Sequence, residues 1–544
     1  MAAALTNDKT LRPAAAALAY LLTRQWRLDP ADPHWLDRDR LFLAGSTAAL
    51  GDALMHLAGA TQPLHEHVTA NPAHMLGIAV GAALAERLLA ARFGRSLVDH
   101  ACWLVGDAAS LAHGAAREAA SLAGSLKLDR LCVLVAADGA EETAFLFAAL
   151  GWLVKRPDAG MVALASAVSA AQRGRRPSLI LCADLTAPDA PPAVQPPPWG
   201  RAGSRAAVRR GWLKRLARHA QRPEFLASQD GRYAVPAAAG GATAGPCAPS
   251  TEAVLQLTAL AAGLPDVAGM TADIPLGQAV MSGHSPGRTI PWHGQVQAMG
   301  AGLCGMAQHG GVVALSVLTL EDAEALRPAM RMAAVNGWRV VLGLIEPGVD
   351  CPSGGQRTAW RSLQGLTVFR PADAHETAEC LALALRHVAG PSVLLLSAEA
   401  AILPPMDRRG ACAGGAYVRR EPAAGGSLRA LTLIASGPEL ALALALGDEL
   451  DALGLPTCVV SMPCWELFAG RDVQAQAAVL GHAPRFAIER GSGFGAERWL
   501  GAAGHFLAVP AGQDLADTAT LREAILRGLA PKDAAGCDGG ATLP

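Results

Sequence analysis

Residues able to do chemistry are spread thinly along this 544-residue chain. Eleven cysteines stand singly from Cys102 to Cys537, and no C-x-x-C pair occurs, which argues against a zinc knuckle or a dithiol redox centre. Several lie in apolar strand-like runs: Cys132 in RLCVLVAAD, Cys182 in SLILCAD, Cys458 in PTCVVSMP. They read as small buried hydrophobes in a reducing compartment. The GSGFG run at 491–495 lacks the G-x-G-x-x-G spacing of a nucleotide loop and reads as a turn. Asp107 and Asp138 each follow an apolar run, where a carboxylate caps the turn into the next helix. The densest charge lies from Arg201 to Arg222, with eight Arg or Lys and no acid before Glu224. With Val208, Trp212, Leu213, Leu216 and Ala217 apolar, this stretch is expected to form an amphipathic helix. Such a helix either packs on its own domain or docks an acidic surface or anionic polymer.

The elements that must position these residues follow from the apolar runs. Hydrophobic residues make up 51% and charged ones 17%, with 46 basic against 47 acidic, so the chain can bury large cores and carries no net bias toward a polyanion. Runs such as RLCVLVAAD (130–138), PSLILCAD (177–184), GVVALSVL (311–318), RVVLGLIE (339–346), PSVLLLSAE (391–399) and ALTLIAS (430–436) are apolar throughout. That pattern belongs to parallel strands covered by helices on both faces. Helical stretches such as HETAECLALALRHVA (375–389) lie between them, which predicts an α/β chain of three doubly wound, mostly parallel-sheet domains. Composition shifts at APDAPPAVQPPPWG (187–200), 234–250 and 406–426 place the domains at 1–200, 251–405 and 425–530. Residues 201–250 form a basic and Ala/Gly/Pro-rich linker, and 531–544 a tail. The longest stretch without Asp, Glu, Lys or Arg, Thr289 to Leu320, holds His293, His309 and many Gly, so a spanning helix is not expected there. Asp8 and Lys9 precede any core of signal-peptide length, and the expectation is a soluble cytoplasmic protein without a membrane partner.

Several segments resemble the transketolase family, in collinear order over nearly the whole chain. PHWLDRDRLFLAGSTAALGDALMHLAG (33–59), VGAALAERLLAARFGRSLVDH (80–100), VGDAAS (105–110) and SLAGSLKLDRLCVLVAADG (121–139) resemble its N-terminal region. AGMTADI (268–274) and FRPADAHET (369–377) are similar to its middle domain, and LTLIASGPELALALALGDEL (431–450) and VVSMPCWELF (459–468) to its last. The resemblance implies a transketolase-like fold and a homodimer, with thiamine diphosphate held between the first domain of one subunit and the second of its partner. It also implies a Mg²⁺ site, with Asp107 of Gly106-Asp107-Ala108, Asp138 beside Gly139, and the carbonyl of Ala140 as ligands. The two carboxylates either hold that cation or only cap turns.

Other expected groups are missing. The family's carboxylate toward the aminopyrimidine falls on Val296, and no Asp or Glu occurs between Asp273 and Glu321. The aromatic wall around that ring is matched by Thr319, Asp322 and Ala325, and a substrate-phosphate Arg by Ala398. The family's histidine segments read AGSTA (44–48), ANPAHM (70–75) and GVDCPSGGQ (348–356), while His74 and His113 read as chance polar residues near the site. No catalytic residue can be named, and so many losses at one site imply a non-catalytic scaffold, a regulatory subunit or a dimer partner of an active relative, holding no cofactor tightly. The dimer would be a homodimer or a heterodimer with a related transketolase-type chain. The alternative is a divergent thiamine-diphosphate- and Mg²⁺-dependent two-carbon ketol transferase that uses Asp107 and Asp138.

Overall fold

A computed structural model describes residues 11–29, 32–51, 65–66, 68, 71–136, 140–158, 160–182, 202–231, 267–271, 289–291, 294–346, 354–386, 389–398, 403, 410–422, 429–510 and 517–529. The expected linker stretches 187–200 and 234–250, and the residues Asp138 and Gly139, lie outside these.

The apolar runs form three sheets. After helix α1 (Arg12–Tyr20), strand β1 (Arg40–Leu43) leads to helix α2 (Met75–Phe93) and β2 (Cys102–Asp107). Helices α3 (Ala108–Ala112) and α4 (Gly114–Leu126), β3 (Leu131–Ala136), α5 (Glu141–Ala149), β4 (Leu153–Lys155), α6 (Met161–Arg173) and β5 (Ser178–Leu181) complete the first unit. Its sheet runs β1-β2-β3-β5-β4, parallel throughout, with Cys102 opposite Leu131 and Cys132 opposite Ser178. Helices α1 and α6 cover one face, and α2 and α4 the other, so strands such as LCVLVA are buried along their whole length.

The basic stretch forms helix α7 (Ala202–Arg218), followed by α8 (Arg222–Gln229). Its inward face is narrower than the sequence suggests: Trp212 and Leu216 are buried, while Val208, Leu213 and Ala217 are exposed. Trp212 packs edge-on to Trp35 and donates its indole N–H to the Leu97 carbonyl at 2.8 Å, and Phe225 of α8 meets Phe93.

The second sheet, β10-β11-β9-β8-β6-β7, is also parallel. It comprises β6 (Val267–Thr271), β7 (Thr289–Pro291), β8 (Val313–Thr319), β9 (Val340–Glu346), β10 (Thr367–Phe369) and β11 (Ser392–Ser397). Its helices are α9 (Val296–His309), α10 (Arg327–Asn336), α11 (Gly354–Arg361) and α12 (Ala374–Arg386). In the third sheet, β12-β14-β13-β15-β16, only the edge strand β12 (Tyr417–Arg420) runs antiparallel. Strands β13 (Leu431–Ala435), β14 (Thr457–Ser461), β15 (Arg485–Arg490) and β16 (His505–Val509) form the rest, and α13 (Glu439–Ala452) packs across them. The expected α/β class and doubly wound parallel sheets are therefore what this sequence folds into.

The first and second units share one core, in which α2 lies against α9. Glycines permit it: a Cβ on Gly81 would run into the Gly302 carbonyl, and one on Gly305 into that of Ile78. By length and composition, residues Pro72–Phe93 could cross a membrane, yet most of that stretch is buried inside the protein. The uncharged stretch 289–320 is divided between β7, α9 and β8.

Candidate functional site

In a parallel sheet, ligands sit beyond the carboxyl ends of the strands, where the loops and helix N-termini converge. Asp107 is the last residue of β2 and the cap of α3. Its Oδ1 accepts the Ser110 amide at 2.8 Å, and its Oδ2 accepts both the amide and the hydroxyl of Ser46, at 2.8 and 2.9 Å. Burial pushes its pKa up, but the Ser46 and Ser110 hydrogen bonds outweigh this and hold it below the usual carboxylate range. Asp107 therefore stays ionised at neutral pH. Gly45, at φ +64°, lies against it, and a Cβ there would collide with the carboxylate. A Cβ on Gly106 would press on Ala44 and Ser110 at 3.2 Å. Small residues thus keep this strand end open.

The carbonyl of Ala140 accepts the Ala144 amide at 2.8 Å and begins α5, with one lone pair left over. Between α3 and α5 lies a cleft of about 200 Å³, lined by Ala108, Ala112, Arg117, Glu142, Thr143 and Leu146. Arg117 and Glu142 pair across it at 3.7 Å. Among the described residues, no group of three His, Cys, Asp or Glu is placed to hold a metal ion. His74 and His113 are brought together beside α3: burial lowers the His74 pKa, and the charge of His113 lowers it further.

The second unit meets this region at the start of α9. Val296 is half-buried there, and Thr319 and Asp322 cap each other, the hydroxyl donating to Oδ2 at 2.7 Å. A carboxylate nevertheless reaches the first turn of α9 from the other unit: Glu118 of α4 accepts the Ala298 amide at 3.0 Å. Gln295 donates to Ser121 beside it, at 3.3 Å. Sequence reasoning missed Glu118, because its partner lies 180 residues away and nothing in the string REAA marks it. It missed Ser46 for the same reason.

The arrangement fits a diphosphate with a hard cation at the first-unit end, where an ionised carboxylate stands in a cradle that Cβ atoms would fill. At the second-unit end, the described residues of α9 and its N-terminal approach carry no carboxyl group of their own, and no step is assigned there.

Of the basic stretch, Arg209 pairs with Asp32 at 2.5 Å and Asp29 at 3.7 Å, and Arg215 donates to the Ser96 carbonyl at 2.9 Å. Part of its charge therefore holds α7 to the first unit, and Arg210, Lys214, Arg218 and Arg222 face outward.

Comparison with known proteins gives two family matches. Residues 61–195 match the transketolase thiamine diphosphate binding domain, and 415–511 match a transketolase-like C-terminal domain. A transketolase of Sinorhizobium medicae is 32% identical, covering 91% of this chain and 85% of its own. One of Geobacillus stearothermophilus is 31% identical over 91% of this chain and 90% of its own. Among solved structures, a transketolase from Leishmania mexicana superposes with a TM-score of 0.80 at 23% identity, over 95% and 94% of the two chains. One from Campylobacter jejuni gives 0.77 at 21%, over 96% and 99%.

These likenesses overturn the expectation of a non-catalytic scaffold, regulatory subunit or dimer partner: relatives named as the enzyme match at about 30% identity over most of the chain. The match over 61–195 likewise gives no support to the expectation that no cofactor is tightly held. The sequence reading went wrong by counting lost side chains position by position. Groups such as Glu118, His74 and His113 are brought to the region by the fold, inside the stretch that matches the family's thiamine diphosphate binding domain.

Proposed function

The chain belongs to the transketolase family, and from that premise we propose that it is a thiamine-diphosphate-dependent transferase moving two-carbon ketol units between sugar phosphates. The observation that carries the reading is Asp107, an ionised carboxylate held at the end of β2 inside the stretch that matches a thiamine diphosphate binding domain. Gly106, Asp107, Asp138 and Gly139 are the proposed cradle for the diphosphate, with Asp107, Asp138 and the Ala140 carbonyl toward Mg²⁺. When bound, thiamine diphosphate supplies the electron sink for breaking and forming a carbon–carbon bond beside a carbonyl. The chain's own part is to hold, orient and shield. His74 and His113, neighbours of which His74 is kept neutral by burial, are the proposed carriers of protons at the cleft. Glu118 is the carboxylate proposed to fix the start of α9.

A homodimer belongs to the same reading. Phe145 of α5, on a helix that lines the cleft, is 78% exposed, a surface that a second copy would cover. The eight cysteines among the described residues are all free and buried, which supports a reducing, cytoplasmic setting. An acidic partner at the basic helix would have to use Arg210, Lys214, Arg218 and Arg222. Changing all four to Gln should then release the protein from a polyglutamate probe, and unchanged retention removes this partner.

Calorimetry with thiamine diphosphate and Mg²⁺ tests the main reading. Binding in the micromolar range or tighter, with turnover of a ketose phosphate donor and an aldose phosphate acceptor, is expected. Absence of both heat and thermal shift would overturn it.

A further inference from the structure

The last turn of α9 enters the first unit with two side chains, and neither belongs to the cleft. Gln308 donates to Glu66, which also pairs with Arg38 at 2.6 Å and Arg40 at 3.7 Å. His309 stacks on His100 with ring centroids 5.0 Å apart and planes 19° apart, and their Nε2 atoms stand 2.8 Å from each other. Both rings are buried.

The hydrogen positions follow from the partners. His309 Nδ1 faces the Gly310 carbonyl at 2.8 Å, so it carries a proton, and its Nε2 is then an acceptor in the neutral ring. His100 Nε2 must therefore donate. The other nitrogen of His100, Nδ1, faces Asp37 Oδ1 at 3.3 Å, and that contact needs one more proton, held by either partner. Asp37 is fixed from behind, its Oδ1 accepting the Asp99 amide at 2.8 Å while Arg27 pairs with Oδ2. In the closed seam, the Asp37–His100–His309 chain thus holds one proton beyond two neutral rings and an ionised carboxylate.

We propose that this chain is a proton-counting latch between the first and second units, closed at neutral pH and opened in mild acid. Once the seam opens and the three groups meet water, both imidazoles take a proton below their ordinary pKa of about 6.5, and Asp37 gives its proton up above about 4. Opening between those limits takes up two protons and releases one. The charged surroundings favour the same direction. Arg27, Arg38, Arg95 and Arg130 all face His100, Arg38 also faces His309, and Arg215 of α7 and Arg27 face Asp37. The acids nearby have partners within the first unit: Glu66 pairs with Arg38, and Asp99 with Arg95 and Arg130. Glu86 of α2, whose pKa burial raises to about 8, contacts Arg95, and Asp39, whose pKa burial raises to about 6, accepts the Ala101 and Arg27 amides. Burial first pushes both imidazoles down to about 3, helped at His100 by these cations and at His309 by the charge of His100 and then Arg38, against the Gly310 carbonyl. Burial pushes Asp37 up to about 6 against the pull of Arg27. The sign follows: the histidine contribution is complete above about 6.5 and is lost as pH falls toward 3, and the Asp37 proton offsets part of that loss.

Hydrogen exchange at the amides of Gly310 and the last turn of α9, corrected for intrinsic rates, tests the latch on the full chain. Between about pH 5.5 and 4.5, where both opened imidazoles are protonated and the opened Asp37 is still ionised, a net uptake of one proton raises the opening constant about tenfold per pH unit. His309→Gln keeps an acceptor for His100 Nε2–H and removes one imidazole, so its slope should fall close to zero. Asp37→Asn removes the shared proton, so its slope should approach a hundredfold per unit. An opening constant that ignores pH in the unaltered chain, or one slope common to all three proteins, overturns the proposal. Should His309→Gln fail to fold, the comparison with Asp37→Asn decides alone. The test is independent of whether thiamine diphosphate binds.

Discussion

At the scale of single residues, charge and capping are separable. Asp107 caps a five-residue helix and ties Ser46 to it, so Asp107→Ala should cost about 1–2 kcal/mol of stability, read by chemical denaturation. The same variant should lose at least tenfold in affinity for thiamine diphosphate with Mg²⁺, and unaltered affinity would remove Asp107 from the cation site. Glu376 behaves in the opposite way. It is buried on α12, where the Ser461 and Tyr417 hydroxyls donate to Oε1 and the Ala372 amide donates to Oε2 at 2.7 Å. Burial, with Asp373 nearby, raises its pKa to about 7 despite those bonds. A raised carboxyl pKa stabilises the fold fully below the unfolded value near 4.5, and that stability is lost as pH rises through 7. Glu376→Gln imitates the protonated form, and both hydroxyls can turn to accept. The variant should gain on the unaltered protein at pH 8.5 and show no gain at pH 5.5. A pH-independent difference would place the proton elsewhere.

At the scale of elements, the helix pair α2–α9 decides how the first two units meet. Gly81 and Gly305 let the two backbones touch, so Gly81→Ala forces a methyl against the Gly302 carbonyl. The expected cost is about 1–3 kcal/mol, seen as a lower Tm, and an unchanged Tm would mean that the contact is not tight. This crossing also marks what the sequence could tell. The strands were legible because parallel strands buried on both faces are apolar throughout, as LCVLVA and SVLLLS are. Asp107 was legible because it ends such a run. Glu118 and Ser46 were not: each meets its partner only after the chain has folded, 180 and 61 residues apart. The pairing of His100 with His309 spans 209 residues and was invisible for the same reason. The five apolar residues of the basic stretch suggested a broad buried face, but helical geometry turns only Trp212 and Leu216 inward.

At the scale of the whole molecule, the third unit is bound to the second by buried charge. Arg370, just past β10, donates to the Ser436 carbonyl at 2.8 Å and to Glu439 at 2.6 Å, and reaches Glu346 at 3.4 Å and Glu489 at 3.9 Å. Arg357 pairs with Glu346 at 2.9 Å and Arg361 with Glu489 at 2.8 Å, so cations of the second unit hold acids of both units. Burial alone would raise Glu346, but Arg370 and Arg357 hold it down at about 2. Its contribution is therefore present above the unfolded value near 4.5 and is lost as pH falls toward 2. Arg370→Met should keep the volume but leave Glu439 without its cation and Glu346 and Glu489 with Arg357 and Arg361 alone, costing about 3–5 kcal/mol at pH 7 and less as the buried acids become protonated. Lysine should rescue little, because one ammonium cannot reproduce the fork that serves Ser436, Glu439 and Glu346 together. Loss should appear first as release of the third unit, with the β13 and β15 amides exchanging before those of β2 and β3. If all three sheets lost protection together, the network would be supporting the whole fold and not this one seam.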